Sequence, residues 1–84
     1  MYSIVVDHPK RFEKALNKLP KHIQSKVITA IDELVKFPHI TQIKKLKNSG
    51  YRLRIGDYRL LFDVEENHKH IVIYEIGHRR DVYR

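Results

Sequence analysis

The chain has 84 residues, 42% hydrophobic and 32% charged, which fits one domain with one modest core and excludes a disordered polyelectrolyte. It holds no cysteine, so disulfides and thiolate metal sites are excluded and a reducing, cytoplasmic setting is expected. The formal net charge of +7 leans toward polyanions: nucleic acid, an anionic membrane surface or an acidic protein.

The opening segment YSIVVD is short and β-branched, as suits a buried strand. MYSIVVDHPKRF lacks the apolar h-region of a signal peptide, and no run approaches the roughly 20 apolar residues of a membrane span. HPKRFEKALNKL predicts a helix, with Pro9 in its first turn and Phe12, Ala15, Leu16 and Leu19 at helical spacing. Pro20 resets the chain, since proline breaks a helix interior but is tolerated at a helix start. Ile23, Val27, Ala30, Ile31 and Leu34 then mark one face of a second, longer helix. Phe37-Pro38 ends it, because a residue before proline is pushed away from helical angles. Neither helix is long or apolar enough to stand alone, so an antiparallel hairpin is expected.

HITQIKKLKNSG reads as a basic connection ending in the turn-like Asn48-Ser49-Gly50. Beyond it the period changes to two. Tyr51, Leu53 and Ile55 alternate with Arg52 and Arg54, which predicts a strand with one apolar and one basic face. Gly56-Asp57 makes a tight turn, YRLLFDV a partner strand, EENHK a polar turn and HIVIYEIG a strand apolar enough to be central. The expected fold is α+β: an N-terminal strand, an antiparallel two-helix hairpin, then a three-stranded antiparallel meander packed on the helices, all in one domain spanning residues 1–84.

Lys44, Lys45, Lys47, Arg52, Arg54 and Arg59 crowd one window whose single acid is Asp57, and the final residues add Arg79, Arg80 and Arg84. One arginine on an amphipathic strand is ordinary solvated decoration. The set is harder to dismiss, since like charges on neighbouring strands repel and stability gives no reason to concentrate them. A planar guanidinium reaches two phosphate oxygens at once and stays charged, so the group suits a surface for a polyanionic backbone. His8, His22, His39, His68 and His70 have no ligand-like spacing, and no metal or other cofactor is expected.

The stretch GYRLRIGDYRLLFDVEENHKHIVIYEIGHRRDVYR closely resembles the C-terminal half of RelE/ParE-superfamily toxins of type II toxin–antitoxin systems, on the RelE branch of ribosome-dependent mRNA interferases. YRLRIGDYR and GHRRDVY carry the resemblance, and the leading strand, helical hairpin and KLPKHIQSKV fit the same layout. The resemblance implies a metal-independent endoribonuclease that cuts mRNA in the ribosomal A site. It also implies three partners: mRNA, rRNA and a cognate acidic, RelB-like antitoxin. Arg52 and Arg54 stand where the best-known members carry two lysines. Arg59 matches the arginine that grips the scissile phosphate, Arg79 a second catalytic arginine, and Tyr83 a C-terminal tyrosine near the cut nucleotide. Lys44, Lys45, Lys47, Arg80 and Arg84 are expected to contact RNA or ribosome. His78 is the better chemical candidate for proton transfer, since arginine is a poor base at neutral pH. Two other readings stay open: a ParE-like inhibitor of DNA gyrase, and a non-catalytic basic module that binds RNA.

Overall fold

The computed structural model describes residues 1–47, 50–78 and 80. Its elements are β1 (Ser3–Val6), α1 (Pro9–Asn17), α2 (Lys21–Glu33), a 3-10 turn (Leu34–Lys36), β2 (Ile43–Lys45), β3 (Tyr51–Ile55), β4 (Tyr58–Glu65) and β5 (His70–His78). The expected strand, helical hairpin and meander are all present. One element is additional: Ile43–Lys45, read from the sequence as connection, is a short strand. Three residues with a single apolar member offer no period to read. The strand exists because β3 presents an edge, and Ile43, Lys44 and Lys45 pair with Leu53, Arg52 and Tyr51 along it. The Arg54 N–H donates to the Gln42 carbonyl at 3.0 Å and prolongs the pairing.

The five strands form one sheet in the order β1-β5-β4-β3-β2, with β1 parallel to β5 and the other pairs antiparallel. The two helices therefore carry the chain from one edge of the sheet to the opposite edge. They cover one face on the way, α1 against β5 and α2 against β3. Pro9 opens α1 at its first turn, where its missing N–H costs nothing. At the other end of α1, the Gln24 side-chain amide donates to the Leu19 carbonyl at 2.8 Å and satisfies a group the ended helix leaves free. The second helix tightens through Leu34–Lys36 and stops at Phe37, whose ψ of 137° is the extended value its following proline favours.

Between helices and sheet lies the core. Val27, Leu34, Leu60, Phe62, Ile71 and Ile73 are fully shielded, joined by Phe12, Ile23, Leu53, Ile55 and Ile76. One part of it is aromatic: the Phe37 ring meets Tyr2, Tyr51 and Phe62 edge-on at 5.6, 5.1 and 6.2 Å, and Tyr51 stacks on Phe62 at 5.4 Å. Edge-to-face contacts of this kind add to burial because ring edges and faces carry opposite partial charge. No helix among the described residues is long and apolar enough to cross a membrane.

Candidate functional site on the open sheet face

Strand alternation sorts the candidate residues by face. Leu53, Ile55, Leu60 and Phe62 point to the helices, so the residues between them point the other way. Arg54 pairs with Arg59 across β3 and β4, and Arg52 pairs with Leu61 on one side and Lys44 on the other. Directly opposed residues share a face, so Lys44, Arg52, Arg54 and Arg59 stand together on the face that the helices leave open. Three arginines and one lysine thus share one face across two adjoining strand pairs.

The floor of this face is apolar. Leu61 lies among the arginines yet is only 3% exposed, and Arg52 and Arg59 beside it are half-buried. Arginine stems lie along apolar surface and keep their heads in water, which accounts for both observations. Arg54 is exposed, and its Nε donates to the Gly56 carbonyl at 3.3 Å, so its head group is steered toward the β3–β4 turn. That turn is the tight Gly56-Asp57 loop, where Gly56 takes a φ of +60° that suits a two-residue hairpin. The rigid hairpin fixes the spacing of Arg54 and Arg59.

Other candidates fall elsewhere. Lys45 pairs with Tyr51 and takes the helix-covered side, while Lys47 and Arg80 are exposed beyond the strands. His78 pairs with Tyr58, and Tyr58 packs on the core with its ring 5.5 Å from the imidazole. His78 therefore sits on the helix side of the sheet, and its Nδ1 accepts from the Arg80 backbone N–H at 3.2 Å. Arg52, Arg54 and Arg59 are thus on the opposite face of the sheet from His78. Arg79, Tyr83, Arg84 and the Asn48-Ser49 turn lie outside the described residues.

The remainder of the open face is different in character. Val5, Val72, Asp63, Tyr74 and Glu75 occupy it along β1, β4 and β5. The Tyr74 hydroxyl donates to Asp63 Oδ2 at 3.1 Å, and Asp63 Oδ1 accepts from the Val64 N–H at 2.9 Å. A cavity of about 360 Å³ opens at the far edge of β3, between Lys36, His39, Ile40 and Leu53, and Arg54 adjoins it. Among the described residues no group of three or more His, Asp or Glu is arranged to hold a metal ion.

A family model described as the ParE toxin of a type II toxin-antitoxin system matches residues 6–83. The chain belongs to the RelE/ParE superfamily of toxins. Within that superfamily it is similar to toxin RelE3 of Methanocaldococcus jannaschii, 31% identical over 80 residues that cover 88% of this chain and 89% of the relative. It is also similar to toxin RelG of Mycobacterium tuberculosis, 33% identical over 72 residues covering 82% and 83%. Among solved structures, the archaeal RelE–RelB complex from Pyrococcus horikoshii contains a chain that superposes with a TM-score of 0.76 at 29% identity, over 96% of this chain and 98% of that one. The protein is a RelE-like toxin of a toxin–antitoxin system, and the arginine face is the candidate site of this RelE-like fold.

Proposed function

We propose that this RelE-like toxin is an mRNA endoribonuclease that acts on the ribosome. The observation that carries the reading is the placement of Arg52, Arg54, Arg59 and Lys44 on one open face of the sheet. RNA needs neither metal nor an activated water to be cut, because the ribose 2′-OH can attack the neighbouring phosphate. The enzyme must align that attack, stabilise the extra negative charge on the five-coordinate phosphorus and move two protons. Preorganised donors aimed at developing charge answer the second demand, and each is worth roughly 10²–10³ in rate. Alignment can be shared with the ribosome, which holds the message in a near-attack geometry. Arg59 and, beyond the described residues, Arg79 are assigned to the scissile phosphate. Arg52 and Arg54 are assigned to the flanking backbone, and Tyr83 to stacking on a base. Lys44, Lys47, Arg80 and Arg84 are assigned to rRNA.

An acidic antitoxin is the second proposed partner. The solved relative from Pyrococcus horikoshii is a RelE–RelB complex, and a chain of net charge +7 attracts a segment of opposite sign. Neutralising that charge would block docking on rRNA without touching each catalytic group.

Primer extension on ribosome-bound mRNA tests the reading. Wild-type protein is expected to produce cuts within the A-site codon, and Arg59→Ala and Arg79→Ala to abolish both the cuts and growth arrest. Full toxicity in both variants would overturn the site. The family model that matches most of the chain carries the ParE description, which favours gyrase inhibition as the second reading. Broken chromosomal DNA with intact mRNA after expression would decide for it.

A further inference from the structure

Proton transfer is the step for which the arginine face has no evident group, and the pleat of β5 supplies one. The strand does not keep a strict period of two. Ile73 is fully shielded and Ile76 is 3% exposed, so the two core residues are three apart. The cause is a bulge: Phe62 pairs with Ile73 while its neighbour Leu61 pairs with Glu75, so Tyr74 is the extra residue. With a regular ladder through Ile73, residue 75 would turn toward the helices. The bulge instead puts Glu75 on the open face, opposite Leu61 and diagonal to Arg59, which pairs with Gly77. Bulges re-aim side chains in this way and recur beside active sites.

Diagonal neighbours across a strand pair are roughly 7–8 Å apart, within the joint reach of an arginine and a glutamate that contact one nucleotide. Glu75 is exposed, and it makes no hydrogen bond or ion pair among the described residues. Glutamate is also a poor strand former, so its own propensity does not explain its place. The other acids are less suited. Asp63 is engaged by Tyr74 and the Val64 N–H, and Asp57 lies on the turn past the last pair, Ile55 and Tyr58. Among the described residues, the charged and titratable groups around Glu75 are Tyr74 on its own strand, Arg59 and Asp63 on β4, and Arg52 one strand further. Past the end of β1, where the Asp7 N–H donates to the Ile73 carbonyl at 2.9 Å, Asp7 and His8, whose side chains lie 3.4 Å apart, complete that set.

We propose that Glu75 is the proton acceptor of the cleavage step, brought onto the arginine face by the β5 bulge; the inference rests on the endoribonuclease reading above. The Glu75 carboxylate takes the proton of the 2′-OH as the 2′-oxygen bonds to phosphorus. The bond from phosphorus to the 5′-oxygen breaks, and that oxygen leaves with a proton drawn from solvent water. The products are a 2′,3′-cyclic phosphate and a 5′-hydroxyl, and the carboxylic acid returns its proton to solvent. No oxidant, reductant or further reactant is required.

The test is single-turnover cleavage of ribosome-bound mRNA by full-length wild type, Glu75→Gln and Glu75→Asp across pH, with ribosome affinity measured alongside. General-base catalysis is worth about 10²–10⁴ in rate. Glu75→Gln is expected to lose that factor at neutral pH with its affinity unchanged, and to lose the fall in rate that wild type shows as the medium is acidified. Glu75→Asp is expected to recover part of the rate and to keep the acid limb. Wild-type cleavage with Glu75→Gln equally fast, or slowed by the same factor at every pH, would overturn the inference and leave the nuclease reading standing. Absence of cleavage by wild type would overturn both.

Discussion

The two faces of one sheet obey opposite rules here. On the helix side every strand contributes apolar residues, and Tyr51 of β3 and Phe62 of β4 pack against Phe37. On the open side the same strands carry three arginines and a lysine around a single shielded leucine. Folding explains the first arrangement, since burial of apolar surface drives it. It does not explain the second, where like charges face each other across a strand pair. Interleaving the two sets residue by residue lets one rigid element serve both ends, because each core contact on the helix side also fixes the adjacent arginine.

Substitutions can break that comparison from either side. The largest effect is expected from Phe62→Ala, which empties a fully shielded position between Phe37 and Tyr51 and should cost about 3–5 kcal/mol in urea or thermal unfolding. Its loss of toxicity should follow its loss of fold. Arg59→Ala should do the reverse: cleavage down by about 10²–10³ with the unfolding transition close to wild type. A matching loss of stability in Arg59→Ala would mean that the arginines are structural after all.

A smaller effect is expected at the edge of the site. Arg52→Ala and Arg54→Ala should each weaken binding to RNA or ribosomes and lower the slope of log affinity against log salt by about 1, read from a salt titration. An unchanged slope would show that these groups do not meet phosphate.

The smallest effect belongs to the far corner of the helix side. The Tyr2 hydroxyl donates to both Glu66 oxygens at 2.9 Å. That hydrogen bond, then partial desolvation and the nearby Glu66 and Tyr51 charges, raise the Tyr2 pKa above its ordinary 10.0. The folded state therefore favours the protonated phenol. Its stabilising contribution is complete below the unfolded pKa and is lost as pH rises through the higher folded value. Alkaline absorbance titration should show a late-ionising tyrosine signal that Tyr2→Phe removes, with the neutral-pH melting point nearly unchanged.

Much of this was legible along the chain. Phe12, Val27 and Leu34 declared their helices by spacing, and the alternation from Tyr51 to Ile55 declared a strand with a basic side. The family resemblance rested on the same segments. Three features were not legible. β2 has too few residues to show a period and depends on an edge made elsewhere in the chain. His78 reads as a neighbour of the arginines, yet pleat phase puts it beside Tyr58 on the opposite side. The largely apolar look of HIVIYEIG conceals a bulge, because Ile71, Ile73 and Ile76 suggest burial without revealing where the register slips.

The amino-acid order by itself determined the kind of each element and the existence of a basic strand surface, since helix and strand periodicity are local properties of neighbouring residues. Tertiary structure alone decided which side chains share that surface: it enlisted Lys44, set His78 apart and turned Glu75 outward. Those outcomes depend on pairing register between segments distant in sequence, and a slip of one residue exchanges the two faces of a strand.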